Sequence, residues 1–379
     1  MRRTIEVGFL LSTDGTYRWM GQHALAGARH ALTEINANEG FDFTLSASHI
    51  NPGGVLQAYS DGAVSLMDRG IRHIFGTITS ASRKEIIPDL EQNGGLLWYG
   101  CPYEGFESSE NVIYLGGCPN QTLIPLLRYA MNRFGKRTLL VGSNYIWGWE
   151  SSRIAREMLQ AAEGEVLGER YIHLGSTQFS EVIDTVMAER PAFILNNLVG
   201  ESSYAFLRQL DARCLQDKLS FPVLSCNLTE AELAEVGDMQ CLRLLSCGPF
   251  FEGVNPMFSQ RQRHEHGQSE CSHYYTGMYV AMHAFANALR HCGGADVQAV
   301  CDYLHGHAQD TVVGALKVSE RNNHSSLPCH IAELRQGRFV VLHSEPKPLL
   351  ADPYLTATDM REFYRLRDIG PIHRLRIVK

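Results

Sequence analysis

The segment IRHIFGTITSASRKEIIPDLEQNGGLLWYGCPYEGFE (residues 71–107) decides the fold. It opens with the apolar run IRHIFG (71–76) and later returns to a second apolar run, GLLWYG (95–100). Between them lies SRKEIIPDLEQNG (82–94), which is longer, more polar and ends at a glycine, as helices commonly do. A strand, a helix and a second strand in this order predict a βαβ unit with parallel strands.

Two features of the middle segment set its predicted limits. Ser82 and Glu85 have the spacing of a capping box, so we expect the helix to begin there. Pro88 removes a backbone donor from the helix interior and therefore predicts a kink.

The same alternation continues in both directions along the chain and restarts after residue 118. Repeated strand–helix units imply parallel sheets with helices on their faces. Beyond residue 250 the order changes to a long helix at 272–290 and a hairpin at 330–343. We therefore predict an α/β protein with two Rossmann-like lobes, parallel sheets and a ligand cleft between the lobes. The other predicted strands are 4–11, 43–50, 111–117, 137–143, 165–172, 192–197, 221–225 and 242–247.

The last third of the chain is expected to complete both lobes rather than to form a third domain, which is the alternative. Crossings between the lobes are predicted near residues 116–120, 246–251 and 320–330. The predicted units are an N-terminal lobe of 1–118 plus about 252–325, a C-terminal lobe of 119–251 plus about 326–354, and a C-terminal tail of 355–379.

Length and composition narrow the class of protein. A chain of 379 residues suits two domains, and a formal charge of −7 argues against general nucleic-acid binding, which needs a basic face. No apolar run approaches the roughly 20 residues of a membrane helix. The start, MRRTIEVGFLLSTDG, passes from an apolar run straight into a loop without a cleavage site, so we expect a cytoplasmic protein. Ten cysteines without a C-x-x-C pair are expected to be free thiols.

Common cofactor and metal patterns are missing from the sequence. There is no G-x-G-x-x-G after the first strand and no P-loop, so nucleotide chemistry is not expected. The HEH triplet at 264–266 places its histidines at i and i+2, which do not share a helix face, and is interpreted as a solvated helix end. We therefore predict no cofactor and no metal.

Cys101, beside Glu104 in CPYEGFE, raises the alternative of a Cys-dependent amidase. Such an enzyme needs a thiolate activated by a base and an orienting group, and the nearby sequence offers only Lys84. A G-x-S-x-G hydrolase motif is also absent. The protein is therefore predicted not to be an enzyme.

The loops after the predicted strands carry the strongest functional signal, because ligands of open α/β sheets bind at the carboxyl ends of strands. These loops combine Ser, Thr and Asn with aromatic residues and carry little charge, which predicts a small, neutral, polar ligand. Arg83 is their one obvious arginine. The loops are STDGT (12–16), TITSAS (77–82), YGCPYEGF (99–106), SNYIWGW (143–149), NNLVGESS (196–203) and SCNLTE (225–230).

Several segments match those of a known family in the same order and cover most of the chain up to about residue 354. They are SRKEIIPDLE, YGCPYEGFE, NVIYLGGCPNQ, GSNYIWGWESS, LVGESS, LTEAELAEV, RNNHSSLPCHIAEL and DPY. On these segments the chain resembles the type I periplasmic-binding-protein family, in its branch that binds branched-chain amino acids and amides. The resemblance is greatest to amide-responsive negative regulators of bacterial aliphatic amidase operons.

The resemblance implies an amide held between the lobes. From the first lobe, Ser80 would hydrogen-bond the amide, while Tyr99, Cys101 and Pro102 would line the pocket from the loop after the fourth strand.

From the second lobe, Tyr145 would reach over the ligand with Trp147 beside it. Val199 and Gly200 would form an apolar wall.

The chain departs from the family regulators at three positions. Ile78 replaces an aromatic residue, Cys101 a threonine and Trp147 a tyrosine. These changes alter the polarity and volume of the pocket, so the ligand is expected to be an acetamide-like amide, urea or another neutral inducer.

The resemblance also implies a protein partner, an RNA-binding antiterminator held inactive until the inducer arrives. No direct nucleic-acid contact is expected, and a homo-oligomer is possible. The alternative with the same fold is the substrate-binding component of an ABC transporter for amides, urea or branched-chain amino acids.

Overall fold

The computed structural model of the protein describes residues 2–360. Most of the predicted C-terminal tail, residues 361–379, lies outside this described part. The strands are β1 Arg3–Leu10, β2 Phe43–Ile50, β3 His73–Gly76, β4 Leu96–Tyr99, β5 Val112–Tyr114, β6 Arg137–Ser143, β7 Glu165–Ile172, β8 Phe193–Asn197, β9 Phe221–Ser225, β10 Leu242–Gly248, β11 Gln309–Thr311, β12 Gly314–Leu316, β13 His330–Arg335 and β14 Arg338–Ser344.

Helices separate most of these strands. They are α1 Arg18–Ala37, α2 Leu56–Asp68, α3 Ser80–Asn93, α4 Leu123–Phe134, α5 Ile146–Ala161, α6 Ser180–Glu189, α7 Glu201–Asp217, α8 Leu233–Val236, α9 Pro256–His266, α10 His273–Cys292 and α11 Val297–Gly306. None of the helices within residues 2–360 combines the length and apolarity that a bilayer crossing requires.

The first sheet has the strand order β2-β1-β3-β4-β5, and its neighbouring strands are parallel. The chain order reverses at β1, which pairs with β2 on one side and β3 on the other. Loops after β1 and β3 therefore diverge and leave a crevice at the carboxyl edge of the sheet.

The second sheet has the order β14-β13-β10-β9-β8-β6-β7. Strands β6 to β10 pair in parallel, and the β13–β14 hairpin adds two antiparallel strands beside β10. The order reverses at β6, between β8 and β7, so the loops after β6 and β8 flank a second crevice. This architecture of parallel-dominated sheets in two lobes confirms the predicted α/β class.

The chain passes repeatedly between the two sheets. It leaves the first sheet after β5 and returns after β10 to form α10, which packs along α1 and against β3 and β4. Close packing of α1 and α10 depends on Gly27, because a Cβ there would overlap the carbonyl oxygen of Tyr275. The chain then enters the second sheet again at β13. The lobe boundaries given above stay a prediction.

The structure corrects the predicted start of α3. The helix begins at Ser80, and its N-cap is Thr79, whose side chain accepts a hydrogen bond from the backbone N–H of Ser82. The Ser82 hydroxyl in turn accepts from the backbone N–H of Thr79, so a Thr–Ser pair closes the box and Glu85 takes no part. The helix runs on through Pro88 to Asn93.

Several elements were not predicted from the sequence. Helix α9 buries only Phe258, Ser259 and Gln262, so its apolar periodicity is too weak to detect. Helix α11 and the short β11–β12 hairpin were also missed.

Candidate functional site

The two crevices face each other and enclose a small cavity of about 30 Å³. By this measure one water needs roughly 10–15 Å³, so the cavity suits a molecule of a few heavy atoms. Both lobes contribute, chiefly through the loops after β1, β3, β4, β6, β8 and β9 together with α1 and α10. The lining residues are Tyr17, Met20, Ile78, Thr79, Ser80, Cys101, Pro102, Tyr145, Trp147, Val199, Asn227 and Tyr274.

Ser80 and Trp147 supply hydrogen-bonding capacity from opposite lobes. Ser80 is the first residue of α3, where the backbone N–H groups of the first turn have no partner in the preceding turn. Trp147 is buried, and its indole N–H has no hydrogen-bond partner among residues 2–360. Because an unpaired buried donor is costly, this N–H is well placed to meet an acceptor on a ligand.

Three tyrosines add hydroxyl groups to the cavity. Burial raises the pKa of Tyr17 to about 12, although a hydrogen bond with Tyr145 lowers it in part. Burial also raises the pKa of Tyr145 and that of Tyr274 well above the usual range. The Tyr274 hydroxyl donates to the carbonyl oxygen of Asn227 at 3.1 Å. All three hydroxyls are therefore neutral at physiological pH.

No lining residue in the described chain carries a formal charge. Arg83 is fully buried and does not line the cavity. Its Nε lies 2.6 Å from Glu107 and its guanidinium nitrogen 3.3 Å from Glu104. Lys84 lies 2.7 Å from the same Glu107 carboxylate. Two cations and two carboxylates thus form a neutral network.

Aromatic rings hold this network in place. The Arg83 guanidinium lies over the ring of Tyr99 at 4.8 Å and over that of Tyr103 at 4.4 Å. Burial alone would raise the pKa of Glu107, but the charge of Arg83 and its hydrogen bond lower that pKa to about 2. The carboxylates of CPYEGFE are therefore paired with Arg83, and neither of them lines the cavity.

Cys101 lies in the cavity wall, but its chemistry is that of a neutral thiol. Burial raises its pKa, which the charge of Arg83 offsets only in part. The thiol faces the carbonyl oxygen of Thr77 at 3.5 Å. A catalytic cysteine needs the opposite shift, toward a stable thiolate.

The structure places six of the eight predicted site residues around one cavity: Ser80, Cys101, Pro102, Tyr145, Trp147 and Val199. Tyr99 and Gly200 are not among the lining residues. The Tyr99 hydroxyl instead donates to the carbonyl oxygen of Ile78 at 3.3 Å. The part that these residues play in ligand binding stays a prediction.

Other lining residues were missed by sequence reasoning. Asn227 lies in the SCNLTE loop, whose composition already pointed to the site, and Tyr17 follows the STDGT loop directly. Tyr274 belongs to the long helix predicted at 272–290, and apolar periodicity does not separate a core position from a cleft position. Trp149, the last residue of the predicted loop SNYIWGW, is 47% exposed and does not line the cavity.

Direct contacts join the lobes around the cavity. Arg18 at the start of α1 lies 3.2 Å from Glu201 and 3.2 Å from Glu235, which belong to the second lobe. The Arg153 guanidinium of α5 lies 4.5 Å from the ring centroid of Phe106. The lobes are therefore in contact at the mouth of the cleft.

The HEH segment (264–266) lies at a helix end, as predicted, but it is not wholly solvated. Helix α9 ends at His266, as expected for a helix end, but His266 Nε2 lies 3.0 Å from Glu34. Possible ligand atoms of Glu34, Glu265 and His266 lie within 4.8 Å of one another. The Glu34 carboxylate already accepts hydrogen bonds from the Tyr279 hydroxyl and the Gln262 amide.

Sequence and structure comparisons agree with this geometry. A family model described as periplasmic binding protein domain matches residues 5–360. The chain belongs to this family. Its fold is that of type I periplasmic binding proteins, whose members bind ligands and are typically not enzymes.

Solved structures of the same fold superpose over most of the chain. A solute-binding protein of an ABC transporter from R. palustris, in complex with benzoate, has a TM-score of 0.82 at 15% identity and covers 92% of this chain and 98% of its own. One from Rhodopseudomonas palustris HaA2, with p-hydroxybenzoic acid, has a TM-score of 0.83 at 14% identity, covering 94% and 100%. The LivJ protein of Streptococcus pneumoniae, with isoleucine, has a TM-score of 0.78 at 15% identity, covering 90% and 99%. At these identities the likeness concerns the fold alone.

Proposed function

We propose that this protein is a receptor for a small uncharged amide or for urea and acts as a ligand-responsive negative regulator. The observation that supports the ligand is the cavity, which measures about 30 Å³ and has no charged residue in its described lining. An aromatic acid or a branched-chain amino acid would need more room in this closed arrangement. A carboxylate would also need a cation, and Arg83 is already paired with Glu104 and Glu107.

The lining fits the two ends of an amide. The carbonyl oxygen would accept hydrogen bonds from the Ser80 hydroxyl and from the indole N–H of Trp147. The amide NH₂ would donate to a tyrosine hydroxyl, for which Tyr145 and Tyr274 are the candidates. The short alkyl group would rest on apolar residues such as Val199.

The size of the ligand limits its affinity. A ligand of about four heavy atoms gains at best roughly −1.5 kcal/mol per atom, which gives about −6 kcal/mol. This corresponds to a dissociation constant on the order of tens of micromolar. Buried hydroxyls would reject analogues without a matching polar group, at a cost of ~1–3 kcal/mol.

Regulation would follow from closure of the lobes. A ligand bound by both lobes stabilises the closed arrangement and so changes the affinity for any partner that distinguishes closed from open. The proposed partner is an RNA-binding antiterminator in the cytoplasm, which the receptor would sequester until the amide binds. This part of the proposal rests on the resemblance of the sequence to amide-responsive regulators.

The second candidate is the substrate-binding component of an ABC transporter. The observation that favours it is that the solved relatives described above are transporter proteins of this kind. A neighbouring gene for an antiterminator would support the regulator, and one for a permease would support the transporter.

Calorimetry with a panel of ligands tests the proposed ligand class. Acetamide, propionamide, butyramide and urea are titrated beside leucine and benzoate. The proposal expects binding of at least one small amide or urea, and neither leucine nor benzoate. Binding of leucine or benzoate without any amide would overturn it.

A further inference from the structure

A second and larger cavity, of about 550 Å³, lies beside the segment that leads from β10 to α9. Its walls come from both lobes. Glu230 and Phe339 belong to the side of the second sheet, and Arg263 belongs to α9, whose Gln262 contacts α1 of the first lobe. None of the residues that line the small cavity between the lobes lines this larger cavity.

Glu230 is a buried carboxyl group in the wall of this cavity, with an exposed fraction of 4%. Its Oε1 accepts a hydrogen bond from the backbone N–H of Glu252 at 3.0 Å. Its Oε2 is buried and has no hydrogen-bond partner among residues 2–360. A buried carboxyl oxygen without a hydrogen-bond partner is unusual, since burial of an unpaired polar group is costly.

Two more carboxyl groups line the cavity, and they differ in their partners. Glu252 is compensated, because it accepts from Arg263 at 3.1 Å and from the backbone N–H of Cys271 at 2.9 Å. Glu270 is half-buried and forms no ion pair with any described residue. Arg338 also lines the cavity, but its side chain is exposed to solvent.

The proton affinities agree with this shortage of positive charge. Burial raises the pKa of Glu230 to about 8, and the neighbouring carboxylates of Glu252 and Glu270 add to the rise. Burial and the charge of Glu252 also raise the pKa of Glu270, which the charge of Arg263 offsets only in part. A cation placed between the two groups would relieve both.

The nature of the walls distinguishes an organic cation from a metal ion. Within the described residues, the one grouping tight enough to hold a metal ion is that of Glu34, Glu265 and His266, so the three carboxylates of this cavity are too far apart. Leu233 and Phe339 provide apolar walls beside the carboxylates. We propose that the cavity binds an organic cation, with an alkylammonium group between Glu230 and Glu270 and its alkyl chain against Leu233 and Phe339.

The position of the cavity gives such a ligand a route to the amide cleft. Because both lobes form its walls, a cation bound there would favour one relative arrangement of the lobes. The bound cation would therefore change the affinity of the protein for the cleft ligand. By linkage, the cleft ligand would change the affinity for the cation by the same factor. Binding of the cation itself does not depend on the proposed function.

Butylammonium and butanol form a matched pair of probes, since they share the alkyl chain and differ in charge. Each is titrated into the full chain by calorimetry at constant ionic strength. We expect butylammonium to bind and butanol to bind at least about tenfold more weakly, because hydrogen bonds to charged groups are the stronger ones.

Three glutamate-to-glutamine variants complete the test. Glu230→Gln keeps a side-chain acceptor for the backbone N–H of Glu252, and Glu270→Gln changes a half-buried side chain, so both are expected to fold. Each should weaken butylammonium binding at least about tenfold. Glu265→Gln on α9 is the control, because Glu265 does not line the cavity, and it should leave binding unchanged. Absence of butylammonium binding, equal binding of butanol, or unchanged binding in both cavity variants would overturn the proposal.

Discussion

The backbone of Thr16 packs directly on Gly200 across the interlobe cleft. Gly200 has φ +57°, and a Cβ at this position would overlap the carbonyl oxygen of Thr16. Gly200 is predicted to form part of the ligand wall, and this stays a prediction; in the structure it lies at the contact between the lobes. A side chain there would therefore oppose closure.

Gly200→Ala is predicted to weaken amide binding. Steric overlap of this kind costs about 1–3 kcal/mol, which corresponds to roughly 5- to 150-fold in the dissociation constant. Calorimetry with the cognate amide measures the effect. Gly237→Ala is the matched control, because Gly237 has φ +73° but nothing within 4 Å of its Cβ position. Both variants should lose similar stability; equal loss of affinity in both would contradict the account.

Ser80→Ala, Tyr145→Phe and Trp147→Phe each remove one hydrogen-bonding group from the cavity. Each is predicted to weaken amide binding by about 1–3 kcal/mol, because a polar group of the bound ligand is left without its partner. All three variants should still fold, and Trp147→Phe should lose the most stability because it is a large-to-small change at a buried position. Trp149→Phe is the control for the indole, since Trp149 is exposed and its N–H bonds Asn144. Unchanged affinity in all three cavity variants would show that the ligand binds elsewhere.

Arg83→Met is predicted to destabilise the fold by about 3–5 kcal/mol, because it leaves the buried Glu104 carboxylate without its main partner. Lys84→Met should cost less than about 1 kcal/mol, since Lys84 is partly exposed. Urea unfolding of the two variants measures the difference. Similar losses in both would mean that Arg83 is not the centre of the network.

Stability is predicted to fall as the pH rises from about 7 to 8. Burial raises the pKa of Glu230 and of Glu232 from the ordinary 4.5 to about 8. In this range the two carboxyl groups still hold protons in the folded protein, whereas the unfolded chain has released them. Raising the pH therefore favours the unfolded chain. Each carboxyl contributes up to about 1.4 kcal/mol per pH unit until the pH passes the folded pKa.

The double variant Glu230→Gln, Glu232→Gln removes both titrating groups and should flatten this slope in urea unfolding at a series of pH values. Burial lowers the pKa of His73 to about 4 and that of His273 to about 3. The contribution of these histidines to the slope is the same in wild type and double variant, so it cancels in the comparison. The same slope in wild type and double variant would disprove the assignment.

The order of strands and helices could be predicted because most strands and helices show their own pattern of apolar residues in the sequence. The start of α3 could not be predicted, because both Thr79 and Ser82 can act as an N-cap. Which of them does so depends on the backbone conformation in the folded protein. Polar helices such as α9 give too little periodicity to detect.

The candidate site was predictable in kind but not in detail. Most residues that line the cavity lie in the predicted loops after the strands. Tyr274 lies on a helix instead, and which side of that helix faces the cleft depends on tertiary packing. The neutralisation of Arg83 depends on Glu104 and Glu107, which lie more than twenty residues away in sequence. The low charge of the pocket could be predicted from the loops, but the pairing of Arg83 with these two carboxylates could not, because the partners are distant in sequence.

Acetamide and acetate test the central claim most directly, because they have nearly the same size and shape and differ in charge. Calorimetric titration of both into the wild-type protein at pH 7 compares a neutral and an anionic ligand in the same cavity. We expect acetamide to bind at least about a hundredfold more tightly than acetate, since a carboxylate would lose its hydration without meeting a cation. Acetate binding as tightly as acetamide, or more tightly, would contradict a charge-free amide site.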